Sequence, residues 1–354
     1  MNQKKKMLYL MHIDWNWIKQ RPQYIKEGLD HYYNIFVMCP RNYRINAIDD
    51  IDNMKVFYSI PFIRRFRGLW KIDEHRKSRT VKRLIREYKP DYVYATHPEF
   101  GKMIPKSYKG IIVYDCMDDM LSFHSKSYYT KRAIEQEFVT VQRADVVLAT
   151  SERLKAILCE RYPECAKKFH LVRNGYDGNI ASLKEKDKHS NYTLCYFGTI
   201  SHWFNFEYVL KSLNDFPDLQ YLLIGPIEGG TSIPSHERLI YMPPVKHDEL
   251  LEVTKEADAF IMPFELDELI LSVDPVKLYE YINFGKDILC VKYPEIERFD
   301  PFVFFYDNYN SYYDQINQMK NGKSRKYSDE ERLSFLAQNT WSHRVESIVS
   351  LLNC

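Results

Sequence analysis

Lys277 and Glu280 stand three residues apart in the run Ser272-Val273-Asp274-Pro275-Val276-Lys277-Leu278-Tyr279-Glu280. That spacing puts an ammonium and a carboxylate on one helix face. Pro275 suits the first turn of a helix and Asp274 suits its cap, so the pair is expected near a helix N-terminus. Free N–H groups and partial positive charge there favour a phosphate, and Lys277 adds a full charge. Glu280 can accept two hydrogen bonds from a ribose diol. Gly285 then ends the helix ahead of the strand Asp287–Val291. The plainer alternative is a surface Glu–Lys pair on a capped helix.

A second segment, Tyr196-Phe197-Gly198-Thr199-Ile200-Ser201-His202-Trp203, reads as a strand that ends in Gly198 and passes into a loop. Ligands of doubly wound sheets sit at such carboxyl strand ends. His202 is there either as a phosphate donor or as an ordinary polar loop residue. A third segment places Asp115, Asp118 and Asp119 just past a strand, where a carboxylate could act as a general base. Helix capping and solvated loop charge are the alternative. Asp50-Ile51-Asp52 forms a D-x-D, but in an Asn/Asp-rich loop, and we read it as solvated rather than metal-binding. From Arg64 to Lys89 run eleven cations against three anions, with Phe66, Leu69 and Trp70 among them and Phe62 and Ile63 just ahead. Arg64, Arg65, Arg67, Trp70 and Lys71 therefore suit docking to an anionic bilayer, the alternative being a solvated helix face.

These residues need a scaffold, and the hydrophobic pattern supplies one. Short apolar runs alternate with longer amphipathic ones, as βαβ units and a parallel sheet require. The first series covers residues 1–178. A charged stretch without apolar period, 179–191, reads as a linker. The alternation restarts over 192–340, and a final helix occupies 341–354. The expected fold is α/β: two Rossmann-like doubly wound domains facing a central cleft. A chain of 354 residues is long enough for two such cores. The formal net charge of +2 excludes a generally basic, nucleic-acid-coating protein. Seven scattered Cys, none in C-x-x-C spacing, read as reduced core thiols of a cytosolic protein. The apolar run Met7–Ile13 is too short for a signal peptide, and no stretch is long enough to span a bilayer.

Taken in order, these segments resemble family 4-type glycosyltransferases of the GT-B fold, especially bacterial polysaccharide-assembly enzymes. The likeness runs through Arg21-Pro22-Gln23, Tyr114 to Asp119, Thr150-Ser151-Glu152-Arg153-Leu154 and Val172 to Asp177. It continues through Tyr196-Phe197-Gly198 and Asp274 to Tyr281, and closes with Asn339 to Arg344. By that resemblance the second domain binds the nucleotide sugar. Glu280 would hold the ribose, the Gly198 loop with Thr199 and His202 would approach the diphosphate, and Met242, Pro243 and Val245 would face the base. Asp274, Val276 and Lys277 would form the helix tip beneath it, and the last helix would return to the N-terminal domain. Two features depart from the family pattern. Ser272 occupies the place of a second Glu, and the loop after Gly198 lacks the usual Arg and Lys. The xanthan glucuronosyltransferase shows a similar variation, which assigns the diphosphate charge to Lys277 and leaves retention or inversion open.

The resulting expectation is a metal-independent glycosyltransferase with no cofactor. Its donor would be a nucleotide sugar, uridine-linked as the commonest case, and its acceptor a lipid-linked cell-surface glycan. Asp118, then Asp119 and Asp115, would supply the base. The enzyme would be cytoplasmic, peripheral on the anionic inner face of the plasma membrane, with no nucleic-acid partner. A non-hydrolysing nucleotide-sugar 2-epimerase is the rival enzyme, and a non-catalytic nucleotide-sugar-binding protein the rival of another class.

Overall fold

Short apolar runs hidden on both faces make every central strand, the signature of a parallel sheet covered by helices on either side. In β1 (Lys6–Leu10), for example, Met7, Leu8, Tyr9 and Leu10 are all fully buried. The computed structural model describes residues 4–16, 19–41, 53–58, 70–122, 128–182, 191–228, 230–322 and 325–353. The chain divides into two units, Met1–Asn174 with Trp341–Cys354, and Gly175–Thr340. The division falls after Asn174, ahead of the 178/179 boundary read from the sequence, because Tyr176 pairs with Thr340 inside the second unit.

The first unit runs β1, α1 (Arg21–Leu29), β2 (Asn34–Pro40), β3 (Met54–Phe57), α2 (Trp70–Tyr88), β4 (Tyr92–Ala95), β5 (Ile111–Cys116), α3 (Tyr128–Arg143), β6 (Val146–Ala149), α4 (Glu152–Arg161) and β7 (Phe169–Leu171). Its strands are parallel in the order β3-β2-β1-β4-β5-β6-β7, so the winding reverses between β1 and β4. Ser151 caps α4 by accepting a hydrogen bond from the Leu154 N–H at 2.9 Å.

The second unit runs β8 (Tyr192–Phe197), α5 (Phe206–Asp215), β9 (Leu219–Ile224), β10 (Leu239–Met242), α6 (Leu250–Val253), β11 (Ala259–Met262), α7 (Glu268–Leu271), α8 (Val276–Asn283), β12 (Asp287–Val291), β13 (Val303–Tyr306), α9 (Tyr309–Asn321) and α10 (Asp329–Gln338). Its sheet, again parallel, is ordered β10-β9-β8-β11-β12-β13 and reverses between β8 and β11. The closing helix α11 (Trp341–Asn353) belongs to the first unit. It lies against α1, where Trp341 stacks on Tyr24 with centroids 5.2 Å apart. Gly28 permits that approach, since a Cβ there would meet Val345 Cγ2 at 2.5 Å.

One expected helix breaks up. The period over Lys246–Ala257 predicts a single helix, whereas a 3-10 turn, His247–Glu249, leads into the short α6. The Thr254 hydroxyl turns back to the Leu250 carbonyl at 2.7 Å. The Lys286 ammonium gathers the carbonyls of Thr254, Lys255 and Ala257, which gives the chain a terminus instead of another turn.

Candidate functional site

In the second unit the site is built from the backbone upward. β8 and β9 are neighbours, and each ends in a glycine with φ of +142°, Gly198 and Gly225. Only glycine holds that conformation without strain. Space demands glycine as well: a Cβ on Gly225 would lie 2.1 Å from the Gly198 carbonyl oxygen, and one on Gly198 would lie 1.8 Å from Lys277 Cε. The Lys277 side chain is thus laid across the bare backbone of Gly198, beside the point where the sheet reverses. Its Nζ sits 5.8 Å from the centroid of the Tyr196 ring. Among the described residues the ammonium has no hydrogen-bond or ion-pair partner. Burial lowers its pKa below the usual lysine value, with Glu280 pulling the other way.

Glu280 lies one turn along α8 and accepts a hydrogen bond from His247 Nε2 at 2.7 Å. His247 opens the 3-10 turn that follows Met242, Pro243 and Val245, of which Met242 and Val245 pack against the core and Pro243 is exposed. The Tyr196 hydroxyl donates to the Thr199 carbonyl at 2.7 Å and so fixes the loop after Gly198. His202 is exposed and points to Asp267 at 3.8 Å. Val276 is the first residue of α8, with Pro275 at the cap.

Asp274 departs from its expected role. Its carboxylate does not cap α8 but is buried and ion-paired with Arg298, and it also accepts from the Tyr279 hydroxyl at 3.2 Å. Arg298 comes from a 3-10 turn, Pro294–Phe299, that has no periodic signal in the sequence. Asp274 is an anchor for the base of α8, and the helix tip is left to Lys277.

The three aspartates of the first unit separate into different roles. Asp115, at the end of β5, is fully buried, and the Arg21 guanidinium grips it through Nε at 3.0 Å and Nη2 at 2.9 Å. The Tyr94 hydroxyl adds a bond of 2.8 Å. Held in this way it is a structural anion, not a base. Asp119 is gripped at both oxygens by Arg161, at 2.7 and 2.8 Å, and by the Ser122 hydroxyl at 2.6 Å. Burial alone would raise its pKa, but the hydrogen bonds from Arg161 and Ser122 outweigh it and hold the carboxyl below the usual range. Asp118 is half-buried, and among the described residues its carboxylate makes no ion pair. Burial lifts its pKa to about 6, eased by Arg21 and reinforced by Asp119. Of the three, Asp118 alone combines an uncommitted carboxylate with a proton affinity suited to neutral pH.

Against this geometry, residues 26–179 match the model of Glycosyltransferase Family 4. A sequence relative is a protein named as a teichuronic acid biosynthesis glycosyltransferase, TuaH of Bacillus subtilis strain 168. It is 24% identical over 214 residues, covering 55% of this chain and 54% of that protein. The chain therefore aligns with about half the length of that relative. Among solved structures, sucrose-phosphate synthase from Thermosynechococcus elongatus superposes with a TM-score of 0.74 at 10% identity, covering 99% of this chain and 98% of that one. Anabaena Alr3699/HepE, in complex with UDP and glucose, superposes with a TM-score of 0.67 at 13% identity, covering 99% of both chains. The chain has the GT-B fold, and its residues 26–179 are similar to the glycosyltransferases of family 4. Its two parallel sheets flanked by helices are the two Rossmann-like domains of that fold.

Sequence reasoning passed over several residues in this GT-B chain. His247 and Gly225 are two. At the reversal point of the first unit, His12 follows β1 and His97 follows β4, with ring centroids 5.3 Å apart. His12 Nδ1 meets the Thr96 hydroxyl at 2.8 Å, and burial together with His97 pushes its pKa down to about 3. Glu99, next to His97, is ion-paired with Lys77 at 2.9 Å. No motif spacing marks these histidines. Their only signal is that each ends a buried strand at the place where the strand order turns. Of the docking residues, Arg64, Arg65 and Arg67 lie outside the described residues, as do Asp50 and Asp52. Trp70 opens α2 and Lys71 is exposed on it. Among the described residues no helix is long and apolar enough to cross a membrane.

Proposed function

We propose that this protein is a metal-independent glycosyltransferase that moves a hexosyl or related sugar from a nucleotide-sugar donor, uridine-linked, to a growing lipid-linked cell-surface glycan. The observation that carries the reading is the Lys277 ammonium, half-buried, without a hydrogen-bond or ion-pair partner among the described residues, and laid over Gly198 at the reversal point of the sheet. A cation kept in that state is arranged for an anion that arrives from outside, and a diphosphate matches it in charge and in place. The bound UDP of Anabaena Alr3699/HepE and the polymer named for the Bacillus relative support the same donor and acceptor classes.

In the transfer, the bond between the anomeric carbon and the diphosphate oxygen breaks, and its electron pair stays on the leaving nucleotide. Lys277 and the free N–H groups at the start of α8 meet that charge, a task that calls for no metal. The acceptor hydroxyl oxygen forms the new bond to the anomeric carbon. If the transfer inverts the anomeric centre, Asp118 is the base that takes the hydroxyl proton. The exposed cations of α2, Lys71, Arg76, Arg79, Lys82, Arg83 and Arg86, suit the anionic inner face of a bilayer, where a lipid-linked acceptor would be found.

The test is incubation of the full chain with a panel of nucleotide sugars, with and without lipid-linked acceptors, in the presence of EDTA. Nucleotide release and labelled glycolipid that depend on acceptor and persist with the chelator are expected. Sugar interconversion with donor alone would instead select the epimerase, and tight binding without turnover would select a binding protein.

A further inference from the structure

His247 stands outside the diphosphate grip yet is bonded to the one acidic side chain that shares a helix face with Lys277. Its Nε2–H donates to Glu280 Oε1 at 2.7 Å. The imidazole is not on a loose segment. The Lys246 and Glu249 backbones close the turn, and the Glu249 carboxylate accepts from the Lys246 N–H at 3.3 Å. The same turn continues the stretch Met242–Val245 off the end of β10. Glu280 is mostly covered, at 19% side-chain exposure, while His247 is 43% exposed. A carboxylate offers about four lone-pair directions over two oxygens. With Oε1 turned to His247, Oε2 is the oxygen left for a pair of adjacent hydroxyls.

We infer that His247 is a positioning residue: it presets the Glu280 carboxylate to receive the vicinal diol of a ribonucleoside diphosphate, and so gives the site its preference for ribose over deoxyribose. The inference rests on the donor reading above. Lys277 governs the diphosphate, and the His247–Glu280 pair governs the sugar of the nucleotide. The two contributions separate when the ligand is dissected.

The experiment measures binding of UDP, 2′,3′-dideoxy-UDP and inorganic pyrophosphate to the full chain by calorimetry. The variants are His247→Ala, His247→Gln, Glu280→Ala, the His247→Ala/Glu280→Ala pair and Lys277→Ala. His247→Ala is expected to weaken UDP by about 3- to 10-fold, the weight of one hydrogen bond. It should leave dideoxy-UDP and pyrophosphate unchanged. His247→Gln, which keeps an N–H at the Nε2 position, should recover UDP to within about twofold. In the Glu280→Ala background His247→Ala should add nothing, as expected when one residue acts only through the other. Equal losses for UDP and dideoxy-UDP, or no loss for UDP, overturn the inference while Lys277→Ala still weakens UDP and pyrophosphate. If Lys277→Ala changes neither, the donor reading itself fails and this inference falls with it.

Discussion

Replacing Lys277 with Met keeps most of the side-chain volume across Gly198 and removes only the charge. In the free protein that charge is partly desolvated and has no partner among the described residues, so burial works against the ammonium. The folded-state pKa is therefore below the unfolded one. The penalty is complete at low pH and is relieved as pH climbs toward the ordinary lysine value, because there the unfolded chain binds more protons. Lys277→Met should then stabilise the free protein near neutral pH. A gain of about 1 kcal/mol corresponds to a Tm rise of roughly 2–4 °C for a domain of this size. Binding should change in the opposite sense. A charge-assisted hydrogen bond to phosphate contributes about 1.5–3 kcal/mol, so UDP affinity should fall about 10- to 150-fold. A third signature follows from the depressed pKa. An anion raises it, so UDP binding to the wild type at alkaline pH should take up protons, and the variant should lose that uptake. Calorimetry in buffers of different ionisation enthalpy, beside thermal melts with and without UDP, reads all three. Unchanged UDP affinity, or a free protein destabilised by the substitution, would refute the reasoning.

Gly198→Ala sets a Cβ against Lys277 Cε at 1.8 Å and a side chain at φ +142°. It should cost on the order of 1–3 kcal/mol and weaken UDP. In a Lys277→Ala background urea titration should find the cost reduced to the backbone part alone. Asp118→Asn should lower transfer by about 10²- to 10⁴-fold yet raise stability. The folded carboxyl has its pKa near 6 against the ordinary 3.8, so ionisation opposes folding above about pH 6 and not below about pH 4. Melts at pH 7.5 and pH 4 check the sign, and the acid limb of kcat/KM should turn near 6. Arg21→Met strands Asp115, a fully buried carboxylate, and should cost about 3–5 kcal/mol by urea unfolding. His12, held near 3 against about 6.5 unfolded, contributes stability that is whole above pH 6.5 and drains as pH falls toward 3. His12→Asn should flatten the acid side of the stability curve by about 1.4 kcal/mol per pH unit, measured by urea titration from pH 6.5 to 4.

The alternation of strands and helices was readable because the central parallel strands are dominated by short apolar runs. Tyr192–Phe197, Ala259–Met262 and Asp287–Val291 show it plainly. The tip of α8 was readable for a local reason too, since Pro275, Lys277 and Glu280 lie within one and a half turns. What the sequence hid depends on partners distant along the chain. Asp274 looked like a cap until Arg298 drew its carboxylate into the interior, and Asp115 looked like a base until Arg21 took both its oxygens. Asp119 is told from Asp118 by Arg161 on α4, together with the Ser122 hydroxyl. The helix expected over Lys246–Ala257 failed for a similar reason, because Lys286 reaches back to gather its carbonyls. Residues with like local contexts diverge once their long-range partners are fixed.

The ladder contact between Tyr176 and Thr340 sets the places where the polypeptide enters and leaves the second unit side by side. Topologically that half is a cassette spliced into the other, with its two open ends already clasped by the Tyr176 N–H and the Asn339 carbonyl at 3.0 Å. A segment with adjoining ends can be transplanted by cutting at Asn174/Gly175 and Thr340/Trp341 without leaving a span to bridge. The second unit is thereby open to exchange as a single module between relatives of this architecture, and the nucleotide preference proposed above should travel with it, while α1 and α11 stay packed together in the host unit.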